Sequence, residues 1–183
     1  MVLTPQQYQH LWDTCEIDNH WQMELQSVIS TISHNADRYH KVSGLTTVPW
    51  YVIAALHYRE STLNFRRHLH NGDPLTDRTK HVPAGRPVQG TPPFTWEESA
   101  VDALKGRGLH LITWDLPETL KQVERYNGGG YMKRGINSPY LWAATNHYGT
   151  APNIGKYVAD GKFDPTVKDG QLGAAAIMQI LIT

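Results

Sequence analysis

Behind Thr4-Pro5, Tyr8, Leu11, Trp12 and Cys15 recur at helical spacing, and an N-cap residue followed by a first-turn proline predicts a helix from Thr4. Ile17, Trp21, Leu25, Val28, Ile29 and Ile32 make a second helical stripe, expected to cover the back of the next apolar helix. Asn35 to Gly44 reads as a short helical or irregular link with Gly44 as its stop. The segment Pro49 to Ser61 is almost wholly apolar and predicts a short helix with Pro49 at its first position and one acid, Glu60, at its C-terminal end.

The pattern then breaks. Between Phe65 and Pro93 prolines and glycines punctuate a polar stretch, which predicts a small irregular β-hairpin with a long loop, forming one lip of a cleft. Thr95 and Glu98 form a capping box for a helix that turns Ala100, Val101 and Leu104 inward and closes at Gly106 and Gly108. Leu109 to Trp114 fits a strand or a buried connector equally well. Asp115 caps a further helix starting near Pro117, with Leu120, Val123 and Tyr126 facing inward, that runs into Asn127-Gly128-Gly129-Gly130. These glycines follow a helix and do not link strand to helix, so they are no phosphate cradle. Tyr131, Tyr140, Trp142 and Tyr148 gather aromatics, and Thr166 to Ile182 predicts a final helix.

A length of 183 residues fits one domain, 1–183, with a core of its own. Seventeen Lys and Arg balance seventeen Asp and Glu, so there is no global electrostatic case for nucleic acid or an anionic membrane. The single cysteine, Cys15, excludes an internal disulfide and a cysteine-rich zinc framework. The N-terminal residues lack a charged region followed by an apolar one, so no secretory signal is expected, and no run reaches transmembrane length.

Chemistry concentrates around Glu60. Burial at the end of an apolar helix disfavours the charged carboxylate and suits a general acid, with Asp73, thirteen positions on, as a second carboxylate. Asp77 is the alternative to Asp73, and the plain alternative for Glu60 is pairing with Arg59, Arg66 or Arg67. His68-x-His70 with His81 or Asp73 would suit a zinc amidase, although no His-Glu-x-x-His is present. No Gly-x-Ser-x-Gly elbow supports a serine hydrolase. A non-catalytic glycan-binding module, using the aromatics alone, is a further alternative.

Glu60-Ser61 at the end of a hydrophobic helix, Asp73, then Tyr126-Asn127-Gly128-Gly129 and Tyr148 together resemble the lysozyme superfamily, nearest to goose-type lysozymes and soluble lytic transglycosylases, and also phage-type endolysins. The resemblance spans about Pro49 to Tyr148 and rests on the order and spacing of short motifs. It departs in lacking a Gly-Leu-Met-Gln-like segment soon after the acid; Ala176-Ile177-Met178-Gln179 lies at the far end of the chain. It implies a mainly α (α+β) fold, a lysozyme-like helical domain with a small β-hairpin lobe flanking the cleft. It implies a bacteriolytic muramidase that cuts the β-1,4 bond between N-acetylmuramic acid and N-acetylglucosamine in peptidoglycan glycan strands. Glu60 would be the general acid. Asp73 would activate water, in an inverting geometry if the carboxyl groups stand about 6.5–9.5 Å apart. Ser61, Thr79, Tyr126, Asn127 and Tyr148 would line the substrate, with Thr76 or Thr79 as water-positioning threonines. If Asp73 points away, attack by the muramic acid C6 hydroxyl would leave 1,6-anhydro ends, as in lytic transglycosylases. The same resemblance implies no cofactor or metal, no nucleic-acid or membrane partner, a monomer, and release to the wall by a holin or another non-classical route. Hydrolase or transglycosylase, and peptidoglycan or chitin, stay open at this point.

Overall fold

The computed structural model describes residues 3–159 and 161–182. The protein is mainly helical, with one two-stranded antiparallel sheet among the described residues. It packs as two compact units, one made of the chain up to Ile29 together with the chain from Asp115 onward, the other of Ser30–Trp114.

In the first unit, α1 (Pro5–Asp13) opens with a reciprocal capping box between Thr4 and Gln7 and buries Tyr8. Ile17 does not join the next helix. It forms an isolated antiparallel bridge with Thr145, and α2 (Gln22–His34) begins only after a 3-10 turn at Asn19–Trp21 that Asp18 caps. Leu25, Val28 and Ile32 are the buried positions of the α2 stripe, and the boundary between the units falls within this helix. Asp115 caps α6 (Leu116–Tyr126), which buries Leu120, Val123 and Tyr126 and packs on α1. Two short helices follow, α7 (Gly130–Arg134) and α8 (Pro139–Trp142).

The sequence-predicted helix from Thr166 to Ile182 is confined to its second half. The chain first forms β1 (Lys156–Ala159) and β2 (Lys162–Asp164), and α9 runs over Ala174–Ile182. Gly173 explains the late start: a Cβ there would stand 2.5 Å from the Leu141 carbonyl oxygen, so the backbone docks directly on the α8 segment before the helix begins.

In the second unit, α3 (Ala36–Thr46) replaces the expected link. Gly44 lies inside this helix, which ends where Thr47 turns left-handed at φ 60°. Tyr39, Val42 and Thr46 are buried at spacings of three and four, and α3 packs against both α4 (Trp50–Ser61) and α5 (Trp96–Gly106). Pro49 caps α4 and does not occupy its first turn, and Val52 through Tyr58 are all buried. Truncating a residue such as Ile53 to Ala would cost about 2–5 kcal/mol. The Thr95–Glu98 capping box starts α5 as expected, and a 3-10 turn at Leu109–Leu111 follows.

The expected hairpin at residues 65–93 contains no named strand. It holds a single bridge, Arg67 to Pro74, and is otherwise turns. Main-chain bonds across its turns, with side-chain acceptors for the N–H groups of Lys80, His81 and Arg86, take the place of a ladder.

Candidate active site

Glu60 is half-buried in the last turn of α4, directly before buried Ser61. The helix is stopped by two successive left-handed residues, Thr62 at φ 50° and Leu63 at φ 60°. The Ser61 hydroxyl is 3.3 Å from the His57 carbonyl oxygen and donates to it, so it belongs to the helix end and is not aligned on Glu60. His57, one turn earlier, is wholly buried among Tyr39, Phe65 and Trp96, with its ring 4.5 Å from Phe65 and 4.6 Å from Trp96. Its Nδ1 lies 3.0 Å from the Tyr39 hydroxyl, and burial pushes its pKa down to about 3.

A tight turn over residues 66–75 is pressed onto this helix end. Gly72, at φ +78°, stands where a Cβ would be 2.7 Å from the Glu60 carbonyl oxygen. Only glycine meets both demands. The turn is closed by main-chain bonds from His68 N–H to Asp73 O at 2.7 Å and from Leu75 N–H to Arg66 O at 3.0 Å. Arg67 Nη1 adds a bond of 2.7 Å to the Gly72 carbonyl.

Asp73 is therefore brought next to the Glu60 end of α4, but its carboxylate is already engaged. Its Oδ2 accepts from the main-chain N–H groups of Lys80 at 2.8 Å and His81 at 3.0 Å and from Asn71 Nδ2 at 3.2 Å, while Oδ1 faces His81 Nδ1 at 2.6 Å. Burial alone would raise its pKa. The bonds from His81 and Lys80 outweigh that and hold the carboxyl at about 2. A carboxylate so well satisfied is a weak base. Asp77, the alternative, is exposed and paired with Lys80 at 3.1 Å.

Thr79 is also a structural residue here. It is 3% exposed, its hydroxyl donates to the Pro83 carbonyl at 2.5 Å and accepts from Arg86 N–H at 2.9 Å, and its own N–H bonds Arg86 O at 2.8 Å. These bonds pin the 79–86 loop and leave the hydroxyl no proton to donate to water. Thr76 is exposed.

The two histidines of the turn are buried against α5. His68 Nε2 is 2.8 Å from the Asp77 carbonyl oxygen, which only accepts, so Nε2 carries the proton and Nδ1 accepts from Ser99 Oγ at 2.7 Å. His70 Nε2 lies 2.8 Å from Asp102 Oδ2, an oxygen that also accepts from Arg86 Nε at 2.8 Å. Burial lowers the His70 pKa to about 4, against the opposing pull of Asp102. Ser99, His70 and Asp102 have the residue types of a nucleophilic triad, yet Ser99 is 0% exposed and its proton is committed to His68. Among the described residues no three His, Cys, Asp or Glu side chains are grouped to hold a metal ion.

Tyr126, Asn127 and Tyr148 belong to the other unit. Tyr126 is buried as part of the α6 core stripe. Asn127 is exposed at the end of α6 and lines a cavity of about 330 Å³ with Gly130, Tyr131 and Tyr157. Tyr148 borders a different cavity, of about 440 Å³, with Asp18, Asn146 and Lys168. Its hydroxyl donates to Gly155 O at 2.9 Å and accepts from Asp169 N–H at 3.2 Å, so only its ring is left for a ligand. Cys15 is half-buried, with burial pushing its thiol up to about 11, which leaves no reactive thiolate.

Sequence reasoning passed over Glu124. It is 3% exposed on α6, four residues after buried Leu120, and accepts a short hydrogen bond from the Tyr8 hydroxyl. Burial raises its pKa, and that of Tyr8 as well. An acid at a core position of the α6 stripe was the available signal. Its bond joins α1 to α6, and it is a core acid rather than a site residue. Neither family models, nor curated proteins, nor solved structures contain a match to this chain.

Proposed function

We propose that this chain is a lysozyme-like glycosidase that cleaves the β-1,4 bond between N-acetylmuramic acid and N-acetylglucosamine in peptidoglycan, with Glu60 as the general acid. The observation that carries the reading is the setting of Glu60: a half-buried acid in the last turn of an apolar helix, with the Gly72 turn packed on its carbonyl. Such a carboxyl, held on a rigid element, is placed to give a proton to a glycosidic oxygen as the oxocarbenium-like transition state develops.

A second carboxylate is needed if water is the nucleophile in an inverting reaction. Asp73 accepts four donors and Asp77 is paired with Lys80, which favours the other completion of the reaction. Glu60 protonates the leaving C4 oxygen. As the carboxylate it then takes the proton of the muramic acid C6 hydroxyl, whose oxygen attacks C1 and closes a 1,6-anhydro ring. On this reading Asp73 fastens the loop beside the acid and activates nothing.

The lysozyme-like identity of the helical fold and a monomeric, wall-directed protein belong to the same proposal. Among the described residues no helix is long and apolar enough to cross a membrane. Product analysis of peptidoglycan digests with the native protein and Glu60→Gln tests the reading: glycan fragments lost in the variant support it, and released peptides on uncut glycan refute it.

A further inference from the structure

The chain as a whole is neutral, but its charge is uneven. Between Arg59 and Val88 there are six cations, Arg59, Arg66, Arg67, Arg78, Lys80 and Arg86, against three acids, Glu60, Asp73 and Asp77. Several of these charges are spent within the fold. Lys80 pairs with Asp77 at 3.1 Å, Arg86 with Asp102 at 2.8 Å, and Arg78 donates to the Gly90 carbonyl at 2.8 Å. Asp73 is satisfied by His81 and main-chain N–H groups. Arg66 and Arg67 are both exposed, and neither has a carboxylate partner among the described residues.

These two arginines begin the turn that rests on the acid. Arg67 is fixed at one nitrogen by its 2.7 Å bond to the Gly72 carbonyl, and Gly72 is the residue packed against the Glu60 carbonyl. Its remaining guanidinium N–H groups are uncommitted. A guanidinium carries five donors in a rigid fork matched to a carboxylate, and anchoring one of them lowers the entropy lost when the rest engage a ligand. Arg66, the adjacent residue, supplies a second charge whose side chain makes no hydrogen bond or ion pair among the described residues. This is the arrangement of an anion-recognition site, on a turn held in place against the acid.

We infer that Arg67, assisted by Arg66, binds a carboxylate on the glycan strand beside the bond that Glu60 protonates, and so selects muramic-acid polymers over neutral ones such as chitin. This rests on the glycosidase reading and names the substrate class of the same site. Two carboxylates share the required chemistry: the lactyl group of muramic acid where its peptide is absent, and the acidic residues of the stem peptide where it is present.

The test uses three oligomers of matched length: a chito-oligosaccharide, peptide-free glycan with free lactyl groups, and peptide-bearing glycan. Calorimetric binding is measured on the Glu60→Gln protein and kcat/KM on the protein with Glu60 intact. The wild-type arginines are expected to favour one or both anionic oligomers, with the preference falling about tenfold in Arg67→Gln, in line with loss of a charge-assisted bond, and weakening with added salt. The oligomer that loses the preference identifies the carboxylate. Arg66→Gln removes no internal bond and keeps the test open if Arg67→Gln unfolds; it is expected to lower the preference less. An anionic-to-neutral ratio unchanged in both variants, with glycan still cut through Glu60, overturns this inference alone. An arginine-dependent preference without any glycan cleavage establishes the carboxylate site and refutes the enzyme.

Discussion

Gly72 lies so close to the main-chain carbonyl of Glu60 that a Cβ on it would stand 2.7 Å from the oxygen. This contact joins the helix that carries the acid to the turn that carries Asp73 and Arg67, and it is enforced by sterics on one side and by a left-handed backbone on the other.

Gly72→Ala is therefore expected to lower stability by about 1–3 kcal/mol and to reduce glycan cleavage beyond what the loss of folded protein explains. Gly85→Ala is the control, since Gly85 has a similar φ of +77° but nothing within 4 Å of its added Cβ. Urea unfolding and turnover of both variants separate the effects. Equal losses in the two would show that the contact with Glu60 is immaterial.

Asp73→Asn tests the fastening role. The Asp73 pKa falls from 3.8 in the unfolded chain to about 2 in the fold, so its contribution to stability is complete above pH 4 and is lost as pH falls from 4 toward 2. The substitution is expected to cost on the order of 2 kcal/mol at neutral pH and to flatten the acid limb of the stability profile. A variant with unaltered stability but abolished turnover would instead mark Asp73 as the base.

His70 gives the opposite kind of pH dependence to the usual ion-paired histidine. Its folded pKa, about 4, is below the ordinary 6.5 because it is buried, so the unfolded chain takes up the proton first. Its neutral form is tolerated in full above pH 6.5, and stability is lost as pH falls from 6.5 to 4. His57, lowered to about 3, acts in the same direction. Between pH 7 and 4.5 each is expected to withdraw on the order of 2 kcal/mol. Urea midpoints across this range should shift less in His70→Gln than in the native protein, and parallel profiles would contradict the assignment.

The helices that carry their own start signals were legible in sequence. Thr4, Thr95 with Glu98, and Asp115 all cap where expected, because a side-chain oxygen that accepts from the N–H three residues on fixes the geometry locally. Gly44 misled, since a glycine is tolerated within a helix whose Tyr39, Val42 and Thr46 are held by packing, and propensity loses to burial. Gly173 could not be read as a helix delimiter because its reason is a close approach to Leu141, 32 residues away in sequence. At the site, the acid at the end of an apolar helix was visible as composition. The saturation of Asp73 was not, since it depends on Lys80 and His81 folding back over the turn, and neither was the closure of Thr79 and Tyr148 on main-chain partners.

The most direct measurement of the central claim is mass spectrometry of the fragments released from purified peptidoglycan by the native protein and by Glu60→Gln. Glycan fragments ending in 1,6-anhydromuramic acid are expected from the native protein and none from the variant. Peptides released from uncut glycan, or the same glycan fragments from Glu60→Gln, would contradict the claim.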